Sequence, residues 1–144
     1  MARMRHHWLT ALTVVAVLAS ACGAGGGSSA VPAGTRCTDL FSFTGNVDDR
    51  GSAQLQGTAV TLEAGDIFFS PTCVTRASGT IKLTVKNTGR LLHNISVPDQ
   101  GIDVDVPAGQ TVTVNVKVAG RAVGCFCKYH KDVGQQCALI PGKP

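Results

Sequence analysis

Three cysteines, one histidine and two glutamines crowd into CFCKYHKDVGQQC, residues Cys125–Cys137. Thiolate and imidazole are good donors for transition metals, and thiols are redox-active in their own right. Cys127 and His130 stand in a Cys-x-x-His spacing, and Gln135 follows five residues later. Beyond the extreme N-terminus one other histidine exists, His93, in NTGRLLHNISV. Two readings of the cluster differ in which residues they use. A structural zinc site of Cys125, Cys127, His130 and Cys137 has an accepted Cys₃His composition, but it leaves His93 without a role. Two imidazoles with one thiolate and a weak axial donor use His93, Cys127 and His130, and form the ligand set of a blue-copper electron-transfer centre.

Such a centre needs a stiff frame, and the sequence supplies strands. TIKLTVKN sets Ile81, Leu83 and Val85 on one face and lysines on the other. TVTVNVKV repeats the pattern with Val112, Val114, Val116 and Val118, and GIDVDV sets Ile102, Val104 and Val106 against Asp103 and Asp105. A period of two in β-branched residues predicts strands with one buried face. TAVTLEAGDIFFSPTCVT, HNISV, RAVGCFC and ALI add shorter strands, with turn signals at ASGT, NTGR, PDQG and PAGQ. Helical periodicity is missing after the first twenty residues. The expectation is an all-β, antiparallel Greek-key sandwich, with residues 38–57 as an irregular lead-in holding a strand around LFSF.

From IFFSPTC to ALIP, about 75 residues, the chain resembles the cupredoxin family, in particular small bacterial plastocyanin-like copper proteins. NTGRLLHNISVP is similar to the family's first-histidine segment, and FCKYHKDVGQ to its ligand loop. The resemblance implies one type 1 copper ion held by His93, Cys127 and His130. It also implies that Asn94 ties the two ligand segments together through its side-chain amide. The family's axial methionine is replaced: the only methionines are Met1 and Met4. Gln135 occupies that position, as glutamine does in stellacyanin-like members. A hard oxygen donor there favours Cu(II) and lowers the reduction potential. Gln136, one residue on along an extended chain, is expected to point away.

Cys-x-Cys-x-x-His offers two thiolates, and Cys127 has the family's spacing to His130. With Cys127 assigned to metal, Cys37, Cys73, Cys125 and Cys137 remain as disulfide candidates with three possible pairings. If the strands around the loop are antiparallel with Cys127 opposite Gln135, Cys125 faces Cys137. Cys37 then pairs with Cys73.

The N-terminus reads as an export signal. MARMRHH is basic, WLTALTVVAVLA is apolar, and LASAC resembles a lipobox ending at Cys22. Residues 1–21 are expected to be removed, Cys22 to carry lipid, and residues 22–35 to form a flexible tether with a reach of about 20 Å. The alternative is an ordinary secreted protein cut near ASA. Residues 36–144 form the folded domain. Loss of Arg3 and Arg5 leaves 11 Lys and Arg against 9 Asp and Glu, a net charge of +2 that argues against a nucleic-acid partner. Both remaining histidines are committed to metal, and no phosphate loop or catalytic triad is present, so no enzyme is expected. The expected role is a monomeric, membrane-tethered carrier of single electrons outside the cytoplasmic membrane. It would dock redox partner proteins through a rim of Leu91, Leu92 and Val133. Copper storage or delivery is the other class, though methionine- and histidine-rich tracts are lacking.

Overall fold

The computed structural model describes residues 34–142. The expected signal peptide, Cys22 and the tether up to residue 33 lie outside the described residues.

Among the described residues ten strands build two sheets. They are β1 (Ser52–Gln54), β2 (Ala59–Ala64), β3 (Phe69–Ser70), β4 (Cys73–Ala77) and β5 (Gly79–Asn87), then β6 (His93–Val97), β7 (Ile102–Val106), β8 (Thr111–Val118), β9 (Val123–Phe126) and β10 (Gln136–Pro141). One sheet runs β1-β4-β10-β9-β6-β7 and the other β3-β2-β5-β8. The only helical turns among the described residues are three short 3₁₀ segments, at Cys37–Asp39, Pro98–Gln100 and Lys131–Val133.

The alternating segments behave as their patterns require. Ile81, Leu83 and Val85 of β5 are fully buried, while Lys82 and Lys86 face outward. With Leu62, Phe69, Ile95 and Leu139 they fill the space between the sheets. Burial of each such side chain is worth about 1.5–3 kcal/mol relative to exposure.

Three expectations need correction. The sandwich is mixed rather than antiparallel, because β1 pairs with β4, β10 with β4 and β2 with β5 in parallel. Parallel neighbours need long crossovers, which local turn signals do not reveal. β7 does not bury its whole apolar face: Val104 is 36% exposed. β7 is the outer strand of the wider sheet, and along it only Val106 is fully buried. No strand forms at LFSF. Instead Phe41 and Phe43 pack edge to face, ring centroids 4.8 Å apart. They cover a small second core of Cys37, Cys73 and Ala138.

That lead-in is held by specific bonds. Asp49 accepts from the N–H groups of Cys37, Thr38 and Gly51 and from the Thr38 hydroxyl. Burial alone would raise its pKa, but these donors hold it below the usual carboxylate range. Cys37 and Cys73 are joined in a disulfide.

Candidate metal centre

His93 opens β6 and is fully buried. The turn before it is shaped by Asn87. Its amide donates to the carbonyls of Leu91 and Val106, both at 2.8 Å, and its oxygen accepts from Gly89 N–H. Asp66 supports the same turn by accepting Arg90 N–H at 2.7 Å. A Cβ on Gly89 would lie 2.3 Å from the Asp66 carboxylate, so the close approach requires glycine.

Cys127 follows β9 directly and is buried, and His130 lies at a partly exposed position three residues on. The chain there folds on itself. Cys127 N–H donates to the Gln135 carbonyl at 3.0 Å, and His130 N–H to the Cys127 carbonyl at 3.1 Å. Gly134 closes the turn at φ +118°, and a Cβ would stand 2.8 Å from the Asp48 nitrogen, which donates to its carbonyl. The lead-in thus packs directly on the loop.

The imidazoles of His93 and His130 and the thiol of Cys127 converge, each offering a ligand atom within 4.8 Å of the others. Cys127 Sγ lies 3.5 Å from His130 Nδ1, and the two imidazole rings meet edge to face with centroids 5.1 Å apart. Cys127 is the one free cysteine among the described residues. Burial pushes its thiol pKa up, against N–H donors of Tyr129, Asn94 and His130. Burial, and then the charge of His130, push His93 below its ordinary value. Both groups are therefore held in their uncharged forms, and a cation placed among them would favour the thiolate.

Neither ring nitrogen of His93 has a hydrogen-bond partner. A buried unpaired polar group costs about 1–3 kcal/mol, so such sites call for an explanation. Ligation of a metal ion accounts for one of the two nitrogens, and a thiol with two imidazoles suits copper or zinc. The donor set therefore fits the implied cofactor.

Gln135 is fully buried beside this group. Its amide nitrogen donates to the carbonyls of Gly65 and Phe68 at 3.2 and 3.1 Å. Two carbonyl acceptors can be served only by the NH₂ end, which decides the orientation of the amide. The oxygen is left facing His130 Nδ1 at 3.1 Å. Gln136 points elsewhere, donating to the carbonyls of Thr44 (3.0 Å) and Asn46 in the lead-in. Asn94 receives Lys128 N–H on its oxygen and donates to Asp103 and Asp105 of β7. Lys128 reaches both of these carboxylates, and the Tyr129 hydroxyl donates to Asp105. The first-histidine strand, the ligand loop and β7 are joined there. These charged contacts are exposed and fix geometry more than they add stability.

Cys125 and Cys137 are directly paired in the β9–β10 register and bonded to each other. That bond removes two of the four ligands of the zinc alternative. Sequence reasoning missed the Gly65 and Phe68 carbonyls and the roles of Asn87 and Asp66. Carbonyls carry no sequence signal, but an Asn before Thr-Gly is a recognisable turn former.

No protein-family model matches the chain, and no curated protein does. Solved structures do. The chain is similar to the metal-binding domain, with Cu(I), of the Cu(I)-exporting P-type ATPase CopA of Streptococcus pneumoniae. The TM-score is 0.55 at 10% identity, covering 65% of this chain and 98% of that one. It is also similar to dithionite-reduced auracyanin of the photosynthetic bacterium Roseiflexus castenholzii. There the TM-score is 0.50 at 14% identity, covering 60% of this chain and 98% of that one. At such identities the likeness is one of fold, and the fold is a cupredoxin-like Greek-key sandwich.

Proposed function

We propose that the protein is a type 1 copper protein that carries single electrons. The observation that carries this reading is the meeting of a buried thiol with two imidazoles, one of them buried with both nitrogens unpaired. His93, Cys127 and His130 would hold the ion, with the Gln135 oxygen as a fourth, weaker donor. Copper held there supplies a one-electron couple. The chain's part is to hold the donors nearly still between the two oxidation states, so that little reorganisation opposes transfer. Burial of His93, Cys127 and Gln135 also keeps water from the site. His130, partly exposed, offers the route for electrons. In the two ligand segments Leu91, Leu92 and Val133 are 45%, 45% and 58% exposed, apolar positions suited to brief docking of a redox partner protein. Nothing in this role needs a substrate pocket, and the protein is read as a carrier and not an enzyme. Its place is outside the cytoplasmic membrane, as a monomer anchored through lipid on Cys22.

Copper delivery is the second reading, favoured by the likeness to the metal-binding domain of a Cu(I) exporter. A fully buried histidine and thiol argue for a retained ion instead.

Purified protein titrated with Cu(II) is expected to develop an intense thiolate-to-copper absorption in the visible. Cys127→Ser is expected to abolish it, and Cys125→Ala/Cys137→Ala to keep it. A Cys127→Ser protein that still shows the band refutes the thiolate assignment. Fast exchange of bound metal without a reversible couple replaces the carrier reading with delivery.

A further inference from the structure

The proposed ligand loop is closed on itself by a covalent bond. Cys125 and Cys137 face each other across β9 and β10, with Cα atoms 4.8 Å apart. The ring so formed encloses Cys127, His130 and Gln135. Beyond the disulfide only one pair, Phe126 with Gln136, continues the ladder. After that the loop is held only by non-covalent contacts: its own backbone bonds, such as Gln135 N–H to the His130 carbonyl at 3.1 Å, and side-chain and backbone bonds to the lead-in, to Gly65 and Phe68 and to β7. The ends of a short ladder open at low free-energy cost unless something holds them. A cross-strand bridge two residues before Cys127 and two after Gln135 is placed where it prevents such opening.

We propose that the Cys125–Cys137 disulfide is a positioning clasp for the ligand loop. It keeps the loop donors converged before metal arrives, and it slows loss of the metal afterwards. The second half rests on the copper reading; the first does not. The other disulfide gives the contrast. Cys37–Cys73 spans 36 residues of sequence against 12, and ties the lead-in to β4 within the second core. A longer closed loop restrains the unfolded chain more, so Cys37–Cys73 is the larger contributor to global stability. The clasp acts locally. The two bridges therefore have separable effects.

The test removes each bridge as a pair, so that no spare thiol competes with Cys127. Metal-free wild type, Cys125→Ala/Cys137→Ala, Cys125→Val/Cys137→Val and Cys37→Ala/Cys73→Ala are compared by hydrogen exchange and thermal unfolding. The valine pair restores apolar volume without the covalent link. In both variants of the 125–137 bridge, amides of residues 126–136 are expected to exchange at least about tenfold faster, as local opening requires. Cys37→Ala/Cys73→Ala is expected to lower Tm more and to speed loop exchange less than either variant of the 125–137 bridge, because it reaches the loop only through the lead-in. With Cu(II) bound, decay of the visible band in excess EDTA is expected to be at least about tenfold faster without the clasp, equal to about 1.4 kcal/mol. Loop exchange that does not change, or that rises equally when Cys37–Cys73 is removed, overturns the clasp. Equal rates of copper loss overturn its retaining role. A wild-type protein that takes up no copper removes the electron-carrier reading, and the metal-free exchange data then decide the clasp alone.

Discussion

Replacing Gln135 with methionine separates the work of its two ends. The NH₂ end serves the carbonyls of Gly65 and Phe68. Methionine has no donor, so both contacts are lost. The Phe68 carbonyl keeps a second partner, Gly65 N–H at 3.1 Å. Among the described residues no other donor to the Gly65 carbonyl is present, and Gly65 is buried. One orphaned acceptor costs about 1–3 kcal/mol and one lost but replaceable bond about 1 more, so Gln135→Met destabilises by about 2–4 kcal/mol. In the proposed copper site the oxygen end would act on the metal. Exchanging a hard oxygen for a soft thioether favours Cu(I) over Cu(II). A tenfold change in that preference moves a one-electron potential by 59 mV, so an upward shift of about 60 mV or more is expected. Gln136→Met is the matched control. It also loses two donated bonds, to Thr44 and Asn46, at a similar cost in stability, but it leaves the Gln135 oxygen in place. Cyclic voltammetry on the copper-loaded proteins, with chemical denaturation of the metal-free ones, reads the two effects apart. Two equal potential shifts, or a fall in potential for Gln135→Met, would falsify the axial assignment, however the stabilities compare.

Two further outcomes follow from residues away from the metal. Asp49 has a folded-state pKa below its unfolded value, so its contribution is present above about pH 4 and lost as the pH falls through the folded value. Asp49→Ala is expected to cost about 1.5–3 kcal/mol at neutral pH and progressively less as the pH falls below about 4, read from denaturation midpoints; a cost that does not fall with pH refutes the role of its charge. Cys22→Ala is expected to move the protein from the membrane fraction to the soluble extracytoplasmic fraction, and a variant as membrane-bound as wild type rules out the lipid anchor.

Local patterns in the chain determine much of this architecture. Alternation in TIKLTVKN and TVTVNVKV dictates strands, because a period of two places every apolar side chain on one face whatever the partner strand is. Cys-x-x-His brings Cys127 and His130 together because a three-residue turn has few conformations. The facing of Cys125 and Cys137 follows from the same local count, once the flanking strands are antiparallel. Tertiary structure decided what depends on distant partners. The parallel pairings of β2 with β5 and β1 with β4 join segments whose relation no turn records. Val104 has the same pattern as its neighbours but is 36% exposed on β7, the outer strand of its sheet. The lead-in reads as irregular, yet its backbone carbonyls at Thr44 and Asn46 hold Gln136 away from the site. Most decisive is Gln135. Its type and place in the loop are written in the sequence, but an amide has two ends of opposite character. The carbonyls of Gly65 and Phe68, nearly seventy residues earlier in the chain, turn the oxygen toward His130, and only the folded chain brings them there.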